Sequence, residues 1–254
     1  MSSASRLNEL IQQWALSFRE SSGPQKLYKI VKLLFLLLLL YQVYLFIAVG
    51  FYSLFNPSSS AIMRSQARFL QAQEPPQDIR YSWVDYEQMS GSIKRAVIAS
   101  EDSRFVEHSG VEWQAIWEAY QYNRSQEAKG KAKRRGGSTI SQQLAKNLFL
   151  SHDRSYWRKG QELIITYMLE TLMSKQRILE LYLNVAQFGP HIFGIEAASQ
   201  HYYKQPAARL NAQQAARLAA LLPNPSRYSQ QLHGRYINSR TQTIVQRMRL
   251  VTPP

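Results

Sequence analysis

The feature that most constrains this chain is an apolar run from Leu33 to Phe55, interrupted by little more than Gln42, Ser53 and a few tyrosines. As a helix the run would measure about 34 Å at ~1.5 Å per residue, enough to cross the hydrocarbon core of a bilayer. Ser58 and Ser60 have the small-residue spacing of a cleavage site, but a secretory signal needs an apolar region of only about 7–15 residues, so the run reads as a retained single-pass anchor. Lys26, Lys29 and Lys32 lie just before it, and Arg64 and Arg68 are the nearest basic residues after it. That bias predicts a cytoplasmic N-terminus and an extracytoplasmic main domain held at the cytoplasmic membrane. The chain then divides into a cytoplasmic segment over 1–32, a transmembrane helix over 33–55, a linker over 56–80 and a globular domain over 81–254. Leu7, Leu10, Ile11, Trp14 and Phe18 share one helical face ahead of the anchor and predict a short amphipathic helix.

Charge narrows the function classes next. Lys and Arg total 31 against 17 Asp and Glu in 254 residues, which favours a polyanionic partner: nucleic acid, anionic lipid headgroups or a pyrophosphate-linked substrate. A domain moved out of the cytosol no longer meets nucleic acid, so the lipid and pyrophosphate readings remain. Arg124, Lys129, Lys131, Lys133, Arg134 and Arg135 crowd a stretch in which Glu127 is the only acid; an ordinary solvated basic loop would look the same. The absence of cysteine removes disulfides, thiol nucleophiles and thiolate metal sites from consideration.

Helical periodicity dominates the main domain, as in Leu163, Tyr167 and Met168, then Ile178, Tyr182 and Val185. Asn211 and Gln214 have capping-box spacing, and Leu218, Leu221 and Leu222 form an apolar stripe that Pro223 ends. A mostly α fold follows.

Three constellations carry the candidate chemistry. An apolar helix over Ile93–Ala99 runs into Glu101 and Asp102, two carboxylates at a helix C-terminus, where they oppose the macrodipole. That cost is reasonable if Glu101 projects into a cleft as a base, although a solvated acidic turn is the plainer alternative. Gly136 and Gly137 then precede a helix in which Thr139 and Gln142 are spaced as a capping box. Ile140, Leu144 and Leu148 fall on its core side and Thr139, Gln142, Gln143 and Lys146 on the other. A cation over a glycine-flanked helix start can receive phosphate, yet no Lys-Ser or Lys-Thr follows a Gly-x4-Gly spacing, so a P-loop is not met. Third, Arg154, Arg158, Lys159 and Glu162 cluster at the start of an apolar helix running to about Met173, next to the positive dipole end that disfavours them.

Taken in order, these motifs resemble the peptidoglycan glycosyltransferase family, and most closely its monofunctional biosynthetic transglycosylases. The family pattern Glu-Asp-x-x-Phe-x-x-His-x-Gly matches Glu101 to Gly110, and Gly-Gly-Ser-Thr-Ile-x-Gln-Gln-x-x-Lys-Asn matches Gly136 to Asn147. Arg158-Lys159-x-x-Glu162 matches the third motif, while Ile178-Leu179-Glu180-x-Tyr182-Leu183-Asn184 with Gly189, Gly194, Ala197 and Ala198 matches the fourth and fifth. Gln187 stands where close relatives often have an acid, and Gly160 sits inside the third motif; neither carries the proposed chemistry.

The resemblance implies a mostly α, lysozyme-like, two-lobed glycosyltransferase domain behind the anchor, with a membrane-facing jaw over about Val111–Arg135 on which Trp113, Ile116, Trp117 and Tyr120 share a helix face. It implies polymerisation of lipid II, the lipid-linked GlcNAc-MurNAc-pentapeptide, into β-1,4 glycan strands by inverting transfer with release of polyprenyl pyrophosphate. Glu101 would be the base and Glu162 the organiser of the cations, or a ligand for Mg²⁺ or another divalent cation; no organic cofactor is expected. Ser138, Gln142, Gln143, Lys146, Arg154 and Lys159 would contact sugar or phosphate. Partners would be lipid II, the growing strand, membrane lipids and cell-wall synthesis or division proteins. No Ser-x-x-Lys occurs, so no transpeptidase chemistry is expected. A helical hydrolase, using Glu101 as an acid, would need no cation cluster for a pyrophosphate; a non-catalytic scaffold would bind substrate without turnover.

Overall fold

A computed structural model describes residues 3–19, 21–130, 136–151 and 155–254. Arg154, one of the candidate substrate contacts, and Lys131, Lys133, Arg134 and Arg135 of the basic run lie outside the described residues. The chain forms two units, over 1–48 and 49–254. The first holds α1 (Ser3–Arg19) and most of α2 (Gly23–Leu54). Leu34, Phe35, Leu37, Leu40 and Tyr44 of α2 are all exposed, and a helix apolar on every side is unfavourable in water but suits hydrocarbon. Its length and composition are compatible with a single-pass membrane anchor.

The second unit is mostly α, as the periodicity predicts. Its helices are α3 (Ala61–Gln71), α4 (Gly91–Glu101), α5 (Trp113–Ala128), α6 (Ile140–Phe149), α7 (Tyr156–Leu172), α8 (Lys175–Val185), α9 (Ile195–Tyr203), α10 (Ala212–Ala219), α11 (Pro225–Tyr228) and α12 (Arg235–Arg247). A small sheet joins β1 (Arg80–Tyr81), β2 (Gln187–Gly189) and β3 (Ile192–Phe193) in the order β1-β3-β2, with β1 parallel and β2 antiparallel to β3. Strands of two or three residues are too short to leave an alternating pattern in the sequence.

Local sequence explains the helix starts. Thr139 Oγ1 accepts the Gln142 N–H at 3.2 Å while Gln142 Oε1 accepts the Thr139 N–H at 3.0 Å, a reciprocal capping box. Asn211 and Gln214 form another at α10. Ser90, Ser155 and Ser174 cap α4, α7 and α8 through their hydroxyls.

Packing sorts the helices into two groups. The apolar face of α6, with Ile140, Leu144 and Leu148 buried, packs against α7 and α8 on one side and α3 on another. Meanwhile α4 packs against α10 and α12, which also touch each other. Residues 56–80 therefore contain more than a connection, since Ile62, Met63 and Leu70 of α3 are buried. Truncating Leu144 to Ala would cost about 2–5 kcal/mol at such a position.

Residues of the fourth motif hold the sheet region together. Asn184 accepts the Val84 N–H and donates to the Val84 carbonyl, both at 2.9 Å, and Glu180 accepts the Tyr86 N–H at 2.7 Å. Gly194 has φ +80°, and a Cβ there would come 2.7 Å from the Asn184 carbonyl oxygen, so only glycine fits.

Candidate active site

Glu101 ends α4 and faces across to α6, which places it between the two helix groups. A cleft of about 1010 Å³ opens there, and Glu101, Ser138, Gln142, Gln143, Lys146, Lys159 and Glu162 all line it. Seven of the eight candidate residues thus converge, while Arg154 falls outside the described residues.

Behind the cleft, Asp102 fastens the first motif to the second. Its carboxylate accepts the backbone N–H of Ile140, the first residue of α6, at 3.0 Å and meets His108 Nε2 at 2.9 and 3.1 Å. The Gly110 N–H donates to His108 Nδ1 at 3.1 Å. A backbone amide can only donate, so Nδ1 bears no proton and it is Nε2–H that donates to Asp102. The unfavourable position of Asp102 at the end of α4 is offset by the N-terminal end of α6. Thr139 Oγ1 completes the junction by donating to the Gly110 carbonyl at 2.6 Å. Gly110 has φ +90°, and a Cβ would meet Glu170 and Thr166 at 2.8 Å. Gly137 is needed for a different reason: a Cβ there would lie 2.9 Å from the Ile116 Cα of α5.

Glu101 is held differently. Ser100 Oγ donates to its Oε1 at 2.9 Å, and Gln143 Nε2 donates to Oε2 at 3.1 Å. The Gln143 amide is oriented in turn by Tyr182, whose hydroxyl donates to Oε1 at 2.9 Å. Burial, reinforced by Glu101 and Asp102, pushes the Tyr182 phenol well above its ordinary pKa, so it remains a donor and turns the amide nitrogen toward Glu101. From the C-terminal part of the chain, Arg240 Nη2 reaches Ser100 Oγ at 3.1 Å and lies 3.8 Å from Glu101 Oε1. The periodicity marks Tyr182 only as a core residue, and no local signal marks Arg240.

A second stretch of the cleft wall carries Glu162, which is 3% exposed and whose two oxygens are divided between Arg158, at 2.8 Å, and Lys159. Lys159 Nζ also donates to Ser138 Oγ at 3.3 Å. Lys146 makes no side-chain hydrogen bond among the described residues. Burial lowers its pKa, with Arg158 and Lys159 pushing the same way and Glu162 and Glu101 opposing. Two arginine or lysine charges beside one carboxylate, plus Lys146, leave this wall short of anions, which is the condition for taking up a pyrophosphate.

Metal ligation fits poorly. A divalent ion on Glu162 would have to displace both of its cationic partners. The donor groups of Asp102, His108 and Glu112 do lie within 4.8 Å of one another, but both His108 ring nitrogens are already spent, on Gly110 and Asp102, and Glu112 pairs with Arg104 at 3.1 Å.

The transglycosylase family model matches residues 67–249. A biosynthetic peptidoglycan transglycosylase of Bordetella pertussis is 55% identical over 216 residues, covering 85% of this chain and 89% of that protein. The Bordetella avium protein of that name is 56% identical over 218 residues (86% and 91%), and one from a Janthinobacterium species is 52% identical over 219 residues (86% and 93%). The match begins at residue 67, inside α3, in keeping with the packing of that helix on α6. With an acid and several cations lining one cleft, and with relatives this similar along most of their length, the chain belongs to the transglycosylase family and is a peptidoglycan glycosyltransferase of cell-wall synthesis.

Proposed function

We propose that the cleft polymerises lipid II into β-1,4 glycan strands, with Glu101 as the base. The observation that carries this reading is that Glu101 and the cations Lys146, Arg158 and Lys159 line one cleft. The donor is the strand whose anomeric carbon bears polyprenyl pyrophosphate, and the acceptor is the 4-hydroxyl of the next lipid II. Glu101 takes the hydroxyl proton as the new O4–C1 bond forms, and the C1–oxygen bond breaks with its electron pair leaving on the pyrophosphate. Displacement from the opposite face inverts the α-linked centre to β. General-base assistance of this kind contributes about 10²–10⁴-fold.

Gln143 and Ser100 hold the carboxylate in place, and the Tyr182 hydroxyl keeps the Gln143 amide turned toward it. Lys146 and Lys159, with Arg154, stabilise the charge developing on the leaving pyrophosphate; Glu162 spaces Arg158 and Lys159. Ser138, through Lys159, and the amide nitrogen of Gln142 are left to contact phosphate or sugar, since Gln142 Oε1 serves the capping box. A divalent ion such as Mg²⁺ would enter on the substrate's own pyrophosphate oxygens rather than on Glu162. Lys26, Lys29 and Lys32, in the first turns of α2 ahead of its apolar run, support a cytoplasmic N-terminus with the catalytic unit periplasmic, which a reporter fused after Pro254 would test: activity in the cytosol rules out that topology.

The direct experiment gives labelled lipid II to the purified protein, with and without chelator. Glycan polymer and polyprenyl pyrophosphate should appear together with the parent protein, and neither with Glu101→Gln. Wild-type turnover that releases cleaved muropeptides instead of polymer would replace this reading with hydrolysis.

A further inference from the structure

The mechanism above leaves one wall of the cleft unused. Tyr236, Arg240 and Arg247 recur at i, i+4 and i+11 on α12, a single stripe at ~100° per residue, and all three line the cleft together with Tyr228. Tyr228 and Tyr236 stack at 4.8 Å with an interplanar angle of 26°. The stripe about a quarter-turn round, Ile237, Thr241 and Ile244, is buried, as is Met248 just past the helix end, so α12 gives one face to the core and flanks the cleft with the face beside it.

The charge of Arg247 on this wall is uncompensated among the described residues. Residues 197–254 contain Lys204 and seven arginines, at 209, 217, 227, 235, 240, 247 and 249, and no Asp or Glu. The Arg247 side chain makes no hydrogen bond or ion pair among the described residues. Arg240 Nη2 bonds Ser100 and lies 3.8 Å from Glu101 Oε1, while its Nε is buried without a partner among the described residues. At the pyrophosphate wall, by contrast, Glu162 balances part of the charge. Stacked phenols in the same cleft as the unpaired Arg247 guanidinium suit a ligand that presents both sugar rings and carboxylates.

We propose that this wall is a subsite for the peptide-bearing glycan of the strand being made, with a stem-peptide carboxylate paired to Arg247 and a pyranose face laid on Tyr236. The proposal rests on the polymerase reading, because only a polymerase keeps a strand beside its base between additions. A strand held here stays in the cleft after each transfer, so the wall governs how many units are added before release.

The test uses the full chain in detergent and two probes: uncrosslinked glycan strands with intact stem peptides, and the same strands stripped of them. The parent protein should bind intact strands more tightly than stripped ones. Arg247→Gln should weaken binding of intact strands about two- to fivefold, the size expected for an exposed ion pair, and should give shorter polymer from lipid II; Arg247→Lys should restore much of both. Tyr236→Ala should weaken binding of stripped strands as well. Arg249→Gln removes the same charge from an exposed residue that does not line the cleft, and should match the parent. The subsite is overturned if Arg247→Gln keeps parental strand length and affinity, if Arg249→Gln shortens strands equally, or if inorganic pyrophosphate displaces intact and stripped strands alike. A parent protein that fails to polymerise lipid II would sink the polymerase reading instead, which separates the two failures.

Discussion

Glu101 and Asp102 are adjacent carboxylates in one motif, and the regions they belong to have opposite character. Behind the cleft, around Asp102, polar groups are matched one to one: His108 has both ring nitrogens engaged, and Ile140, Gly110 and Thr139 each find a partner. On the cleft wall around Glu162, among the described residues, the Lys146 side chain has no hydrogen-bond partner, Arg158 Nε is buried and unpaired, and the cations outnumber the acid they surround. The first region uses its polar groups to join α4 to α6. The second leaves charge available for a substrate, and the fold stays intact because the first region is closed.

The contrast predicts that neighbouring substitutions fail in different ways. The largest effect should be on turnover in Glu101→Gln, a loss of about 10²–10⁴-fold with the melting temperature and substrate affinity near parental values. If Glu162→Gln were the dead variant and Glu101→Gln retained substantial activity, the roles assigned to the two would be reversed. Lys146→Met should come next, losing about 10²–10³-fold in turnover, the scale of one preorganised donor at developing charge. The same variant should melt higher than the parent, because it removes a cation whose burial is unfavourable; a lower melting temperature would mean that Lys146 also supports the fold.

Asp102→Ala should show the converse profile, with stability as the principal loss. Each donor left unpaired costs about 1–3 kcal/mol, measured by denaturant unfolding, and activity should fall only with the folded fraction. A stable but inactive Asp102→Ala protein would move Asp102 to the cleft side of the comparison. The smallest effect concerns pH. Because burial holds Lys146 below the ordinary lysine pKa of 10.5, the alkaline limb of kcat/KM should begin below that value, and Lys146→Arg should move it upward. The sign for stability is opposite: between the lowered folded pKa and the unfolded one the unfolded chain binds more protons, so the cost of burying this charge fades as pH rises through that window.

What the sequence reveals and what it conceals divide along similar lines. The boxes at Thr139–Gln142 and Asn211–Gln214 are readable because three residues suffice to define them, and the α6 core face because its periodicity is local. Glu101 and Lys146 are recognisable within their motifs. The link from Tyr182 through Gln143 to Glu101, and the reach of Arg240 to Ser100, depend on residues 39 and 140 positions apart, for which no periodicity gives a signal. The packing of α3 on α6 was equally hidden, because proline and serine on either side of it look like a connection. The resemblance offers Glu162 as organiser of the cations or as a metal ligand, and its ion pairs to Arg158 and Lys159, four and three residues away, are local enough for the third motif to suggest them.

One detail bears on how the catalytic unit can be cut free for study. Arg177 donates through Nε and Nη2 to the Tyr52 carbonyl at 3.1 and 3.0 Å and through Nη2 to that of Phe55 at 2.9 Å, while its Nη1 holds Glu180. The final turn of α2 is therefore part of what α8 folds against. A recombinant fragment beginning at residue 81 would lose these acceptors and all of α3, leaving a half-satisfied guanidinium and an uncovered stretch of α6. A fragment beginning at residue 49 would keep both, and is the shorter version to express when the goal is crystals or a detergent-free assay.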